Sequence, residues 1–102
     1  MMASAPSRDP RGTVGTDLAP ALARPTRWAW AEIDLGAVRD NVRALVALLR
    51  PPTRLLAVVK ADAYGHGAPV VARAAVEAGA WALGVATTDE GVQLRRAGIE
   101  SP

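Results

Sequence analysis

Residues 60–67 read Lys-Ala-Asp-Ala-Tyr-Gly-His-Gly and follow the apolar run Leu55-Leu-Ala-Val-Val59. That run reads as a buried strand, so Lys60 stands at its end, just ahead of a glycine-rich turn. An ammonium group at the edge of an apolar core loses hydration, which favours its neutral form. A neutral lysine amine is a nucleophile, and lysines in such settings hold aldehyde cofactors as Schiff bases. The competing reading is a boundary lysine whose stem lies along the core while its ammonium reaches water. Tyr64, four residues on, offers either a phenol for hydrogen bonding or a ring packed against the loop. His66 is the sole histidine, and one histidine cannot make a metal site by itself. It reads as a loop-shaping residue, between two glycines, Gly65 and Gly67, that permit backbone geometry other residues resist.

The elements that position these residues are legible from periodicity. Trp28 to Leu35 alternates loosely and predicts a strand ending near Asp34, which then caps a helix. Val38, Val42, Leu45, Val46 and Leu49 form one apolar stripe at helical spacing, with Arg39, Asp40, Arg43 and Arg50 off it. Pro51-Pro52 ends that helix. Leu55–Val59 is a continuous apolar run, the pattern of a strand covered on both faces. Pro69 fits the first turn of a second helix, whose buried face is Val70, Val71, Ala74, Ala75 and Ala78 and whose stop is Gly79. Trp81–Ala86 reads as another strand. Thr87 and Glu90 have capping-box spacing for a third helix, in which Val92 and Leu94 to Ala97 precede Gly98.

The order strand, helix, strand, helix, strand, helix implies βα units on a parallel sheet. Active sites of such folds lie at the C-terminal ends of the strands, and Lys60 occupies one. The next strand is expected to begin just past Ile99-Glu-Ser-Pro102. Three strands with helices on one face leave an open apolar edge, and a whole barrel takes about 250 residues. The reading is therefore the front part of a larger α/β protein.

Composition excludes several classes. The 102 residues are 50% apolar and contain no cysteine, so disulfides, thiolate metal sites and cysteine nucleophiles are ruled out. The net charge of +2 resides in residues 1–27, which hold four arginines against two aspartates; the rest carries equal numbers of each sign. No basic stripe with interleaved aromatics remains, which argues against a nucleic-acid partner. Residues 1–27, rich in Pro, Ala, Ser, Thr and Arg and without apolar period, are expected to be a disordered extension. The longest apolar run, Ala44–Leu49, is far short of the roughly 20 residues of a membrane span, so the expected location is the cytoplasm with no membrane partner.

The octapeptide from Lys60, preceded by Ala57-Val-Val59, resembles the cofactor-lysine signature of the alanine racemase family. Trp30-Ala-Glu-Ile-Asp-Leu35 with Asn41 downstream is similar to that family's opening strand and helix. Glu77-Ala-Gly-Ala80 and Leu83-Gly-Val-Ala86, leading to Asp89-Glu90, agree in order and spacing. The resemblance spans residues 28–102 and covers the first third or less of the family's length. The phosphate-binding loops of nucleotide enzymes and the nucleophile-elbow serine motif are absent.

The resemblance implies the N-terminal part of a (β/α)8 TIM-type barrel, incomplete in this chain, carrying pyridoxal 5'-phosphate on Lys60. It implies that the cofactor takes electrons from the α-carbon of alanine, with Lys60 as acid or base on one face and Tyr64 contacting the cofactor phosphate. A second base comes, in the family, from a tyrosine of the partner subunit, so a homodimer is implied for the full-length enzyme, along with D-alanine supply for peptidoglycan. Asp62 stands where many family members carry Asn, and either residue bonds to nearby backbone in a turn. No metal is implied. Two alternatives remain at this stage: a related barrel racemase for another small amino acid such as serine, or an inactive remnant acting as an interaction module.

Overall fold

The computed structural model describes residues 28–102; the extension expected over residues 1–27 lies outside the described residues. The chain divides into a unit ending at Ile33 and a unit from Asp34 to Pro102. Within the first, Trp30 Nε1 donates to Glu32 Oε2 at 3.0 Å. The strand predicted over Trp28–Leu35 is not formed. A strand persists only against a hydrogen-bonded neighbour, and among the described residues none pairs with this segment.

Asp34 does start a helix, as its position just ahead of the apolar stripe predicts. Its backbone is extended and its Oδ1 accepts from Ala37 N at 3.0 Å, satisfying one of the amides left open at the N-terminus. The helix, α1 (Leu35–Leu48), ends where Leu49 turns extended ahead of Pro51-Pro52. Val42 is buried and Val38 and Val46 half-buried, whereas Leu45 is exposed, so the stripe that packs is narrower than the spacing predicts.

Two strands, β1 (Leu56–Val58) and β2 (Ala82–Gly84), run parallel with Leu56 opposite Ala82, Ala57 opposite Leu83 and Val58 opposite Gly84. They are joined through α2 (Ala68–Glu77), and α3 (Thr88–Arg96) follows β2. Side chains alternate across a strand, and the helices cover one face only. Ala57 joins α1 and α2 residues in one cluster around Val42, Ala75 and Ala80. Val59 joins a second with Ala68, Ala72, Leu94 and Ile99. Leu56 and Val58, pointing the other way, remain 48% and 62% exposed, so the two-sided burial expected of this strand is not met among the described residues.

Helix α2 packs through alanines. Ala72 and Ala74 are wholly buried and Ala75 nearly so, a small-residue face that lets the helix lie close to its neighbours. Val70, expected on that face, is half exposed. The helix stops as expected: Gly79 takes φ +120°, a left-handed value that costs glycine nothing. Arg39 on α1 bonds Glu77 on α2 at 2.9 Å, and Arg73 on α2 donates to Ala97 O beyond α3 at 2.7 Å.

The predicted capping box at α3 is present, with Glu90 N donating to Thr87 Oγ1 and Thr87 N donating to Glu90 Oε2, both at 3.2 Å. After α3 the chain returns to the sheet. Arg95 Nη1 donates to the carbonyls of Ile99 and Ser101, each at 2.8 Å, and Leu83 N donates to Pro102 O at 2.9 Å. That bond brings the end of the chain alongside β2; the next strand, expected just past Pro102, lies outside the described residues. Among the described residues no helix is long and apolar enough to cross a membrane.

Candidate active site

Between β1 and α2 the backbone does something the sequence does not announce. Ala61, Asp62, Ala63 and Tyr64 all have φ between 51° and 56° and ψ between 39° and 46°, a full turn of left-handed helix within Lys60–Gly65. L-residues pay about 1–2 kcal/mol each for that conformation, because Cβ crowds the following carbonyl, and they visit it as single residues rather than in runs. Sustained strain of this kind persists only where surrounding bonds over-determine it, and it clusters at functional sites.

The compensating bonds can be named. Ala63 N donates to Val59 O at 3.0 Å, Gly67 N to Asp62 O at 3.0 Å and His66 N to Ala63 O at 3.2 Å. Gly65 and Gly67 continue at φ +85° and +93°, which confirms their expected permissive role. Asp62 Oδ1 accepts from Ala68 N at 2.8 Å, serving the first amide of α2, whose N-cap Gly67 has no side chain to do so. Ala63 is half-buried against the Val59 cluster and anchors the turn to the core. Asp62→Ala is expected to cost about 1 kcal/mol, the usual loss for removing such a cap, and Asp62→Asn far less because its amide oxygen still accepts; urea unfolding of the two variants distinguishes them.

The turn lifts Lys60 and Tyr64 together beyond the end of β1. Both side chains are exposed, Tyr64 at 72%, and the Lys60 ammonium lies 5.9 Å from the Tyr64 ring centroid, within reach of a weak cation–π attraction. Lys60 is thus not held at the apolar edge that the sequence suggests. The chain turns away at Val59, which is itself buried, and leaves Lys60 exposed. Tyr64 does not pack into the loop. On the same side as Val58, Gly84 carries no side chain; a Cβ there would stand 2.8 Å from Leu56 Cδ2. His66 is exposed with Nδ1 3.3 Å from Tyr64 O, consistent with a part in shaping the loop.

Glu90 completes the arrangement, and sequence reasoning assigned it only the helix cap. Its Oε1 accepts from Ala61 N at 2.8 Å, while Oε2 accepts from Ala86 N at 2.6 Å and Thr87 N at 3.2 Å. One carboxylate therefore ties the residue after Lys60 to the loop after β2. The Ala86 and Ala61 amides, helped by Thr87 and by the Lys60 charge, hold this carboxyl below its ordinary range against an opposing push from desolvation. The available signal was positional: in a parallel sheet the residues that follow two neighbouring strands emerge at the same end.

A family model described as alanine racemase, N-terminal domain, matches residues 33–102. The chain belongs to that family. The alanine racemase of Nostoc sp. is 62% identical over 74 residues, covering 72% of this chain and 19% of that protein. The alanine racemase of Geobacillus stearothermophilus is 57% identical over 76 residues, covering 74% and 20%. Among solved structures, the alanine racemase of Bacillus anthracis superposes with a TM-score of 0.72 at 45% identity, over 78% of this chain and 21% of that one. The chain thus spans about one fifth of the length of these alanine racemases. The mixed parallel fold is that of the first βα units of their barrel domain, in agreement with the fold class read from sequence.

Proposed function

We propose that this chain supplies the lysine-bearing part of a pyridoxal-phosphate-dependent alanine racemase, interconverting L- and D-alanine. The observation that carries the reading is the left-handed turn that presents Lys60 and Tyr64 side by side, exposed, at the C-terminal end of β1. The residues fit the cofactor chemically. Lys60 offers an exposed primary amine outside any ion pair among the described residues, and Tyr64 offers an exposed phenol. Lys60 would hold the cofactor covalently and Tyr64 would donate to its phosphate. When bound, pyridoxal phosphate supplies an electron sink for charge developing at the substrate α-carbon.

What the chain itself contributes is proton transfer and orientation. The Lys60 amine, once free, carries a proton to or from one face of the α-carbon. The strained turn fixes its origin, since Ala63 is anchored to the core and Ala61 to Glu90. Inversion needs a second group on the opposite face. Tyr64 belongs to the lysine's own turn, and by analogy with the alanine racemase family we assign the second group to a tyrosine from a partner subunit, in a homodimer. D-Alanine supply for peptidoglycan in the cytoplasm is the corresponding cellular role. The alanine racemase of Bacillus anthracis was solved with bound L-Ala-P, which supports an alanine-sized substrate.

The test is direct. The full-length protein, supplied with pyridoxal phosphate and L-alanine, is expected to yield equal amounts of the two enantiomers on chiral chromatography, with L-serine run in parallel. Alanine that keeps its configuration sinks the proposal, and faster conversion of serine reassigns the substrate.

A further inference from the structure

Three features sit close together: the strained left-handed turn, the loop after β2, and a carboxylate that spans them. Glu90 has two oxygens with divided duties, Oε1 toward Ala61 N and Oε2 toward Ala86 N and Thr87 N. A capping box alone requires only the bond to Thr87 N, and glutamine serves that purpose as well as glutamate. The reach to Ala61, 29 residues earlier in the chain, is additional. It falls on the first left-handed residue, directly bonded to Lys60, where the strain has to be held.

We propose that Glu90 is a positioning residue for the cofactor lysine: its carboxylate clamps the Ala61 amide to the loop after β2 and thereby fixes where the Lys60 side chain starts. This inference rests on the assignment of Lys60 as the cofactor lysine. The chemistry specifies glutamate. Three amide hydrogens point at this side chain, and only an ionised carboxylate accepts on both oxygens. In glutamine one oxygen becomes an NH2 group, which faces an N–H donor wherever it is placed. Because two amides converge on the Oε2 position and one on Oε1, the glutamine oxygen settles toward Ala86 and Thr87 and the NH2 opposes Ala61. Aspartate is one methylene too short to span both loops.

Glu90→Gln therefore severs the Ala61 arm while keeping the cap of α3, and Thr87→Ala is the control that weakens the cap and leaves the Ala61 arm in place. Two readouts are taken on the full-length protein. Amide hydrogen exchange at Ala61, measured without cofactor, is expected to accelerate at least tenfold in Glu90→Gln and to stay unchanged in Thr87→Ala. Capture of pyridoxal phosphate, trapped with borohydride and mapped to Lys60 by mass spectrometry, is expected to slow about tenfold in the glutamine variant only. Unchanged Ala61 exchange in Glu90→Gln overturns the clamp, as does equal slowing of capture by Thr87→Ala. Failure of the parent protein to form the Lys60 adduct overturns the cofactor reading instead, while the exchange measurement still decides whether Glu90 holds the turn. Should Glu90→Gln fold poorly, Glu90→Ala with the same two readouts replaces it.

Discussion

Lys60→Ala is expected to lower racemisation of alanine by at least about a thousandfold, within the range over which a positioned general acid or base acts, and to release the cofactor on dialysis. The folded state is expected to survive. Lys60 is exposed and its amine has no ion-pair partner among the described residues, so truncation opens no cavity, and surface substitutions of this kind change stability by about 0.5 kcal/mol or less. Lys60→Arg separates the two properties of the side chain. Arginine keeps a cation within reach of the Tyr64 ring but stays protonated at any accessible pH, so it can neither attack an aldehyde nor accept a proton. Both variants are read by chiral assay and by the visible absorbance retained after dialysis. An arginine variant with more than a tenth of parental activity would show that Lys60 acts only as a charge.

Lys60 is exposed among the described residues, and neither expected loss requires it to be buried. What matters is where the amine is placed, and the turn does the placing. Val59 is buried, Ala63 is anchored to the same cluster, and the two are bonded through Ala63 N and Val59 O. Lys60 lies between them as the first residue of the turn, so its backbone has little freedom although its side chain is exposed.

Much of this organisation is written in the sequence by rules with short range. Asp34, the Pro51-Pro52 pair, Pro69 and the Thr87–Glu90 box act on amides within a turn of themselves, so their effects do not depend on distant chain. All four are where the spacing puts them. The parts that were not legible depend on partners. Trp28–Leu35 has strand composition, yet a strand is a pairing and not a property of one segment. Leu56 and Val58 are as apolar as a two-sided strand requires, but their burial depends on what covers the second face.

The left-handed turn is the deepest case, because alanine has no preference for that region and two of its four residues are alanine. Gly65 and Gly67 signalled positive φ only at their own positions. Glu90 belonged to a local motif that was read correctly, and its second duty emerges only when the two strand ends come together. Residue types that break their own local preferences are the ones to suspect of function.

That conflict gives the second large effect. Ala63→Val is expected to destabilise the protein by about 3 kcal/mol, since a β-branched residue at φ 52° is a true steric outlier and its added methyl groups crowd a well-packed cluster. Ala61→Gly is expected to stabilise it slightly, by about 0.5 kcal/mol, because relief of left-handed crowding at an exposed position exceeds the extra entropy glycine gives the unfolded chain. Urea unfolding of both variants reads the two signs. An ordinary right-handed turn predicts the opposite pattern for glycine, which costs about 0.5–1 kcal/mol within right-handed helix. The sign for Ala61→Gly therefore reports the hand of the turn without any cofactor present. Because the left-handed turn places Lys60 and Tyr64, Ala63→Val is also expected to lose cofactor capture at Lys60 under conditions where the variant remains folded, as the two side chains then no longer leave the sheet on the same side.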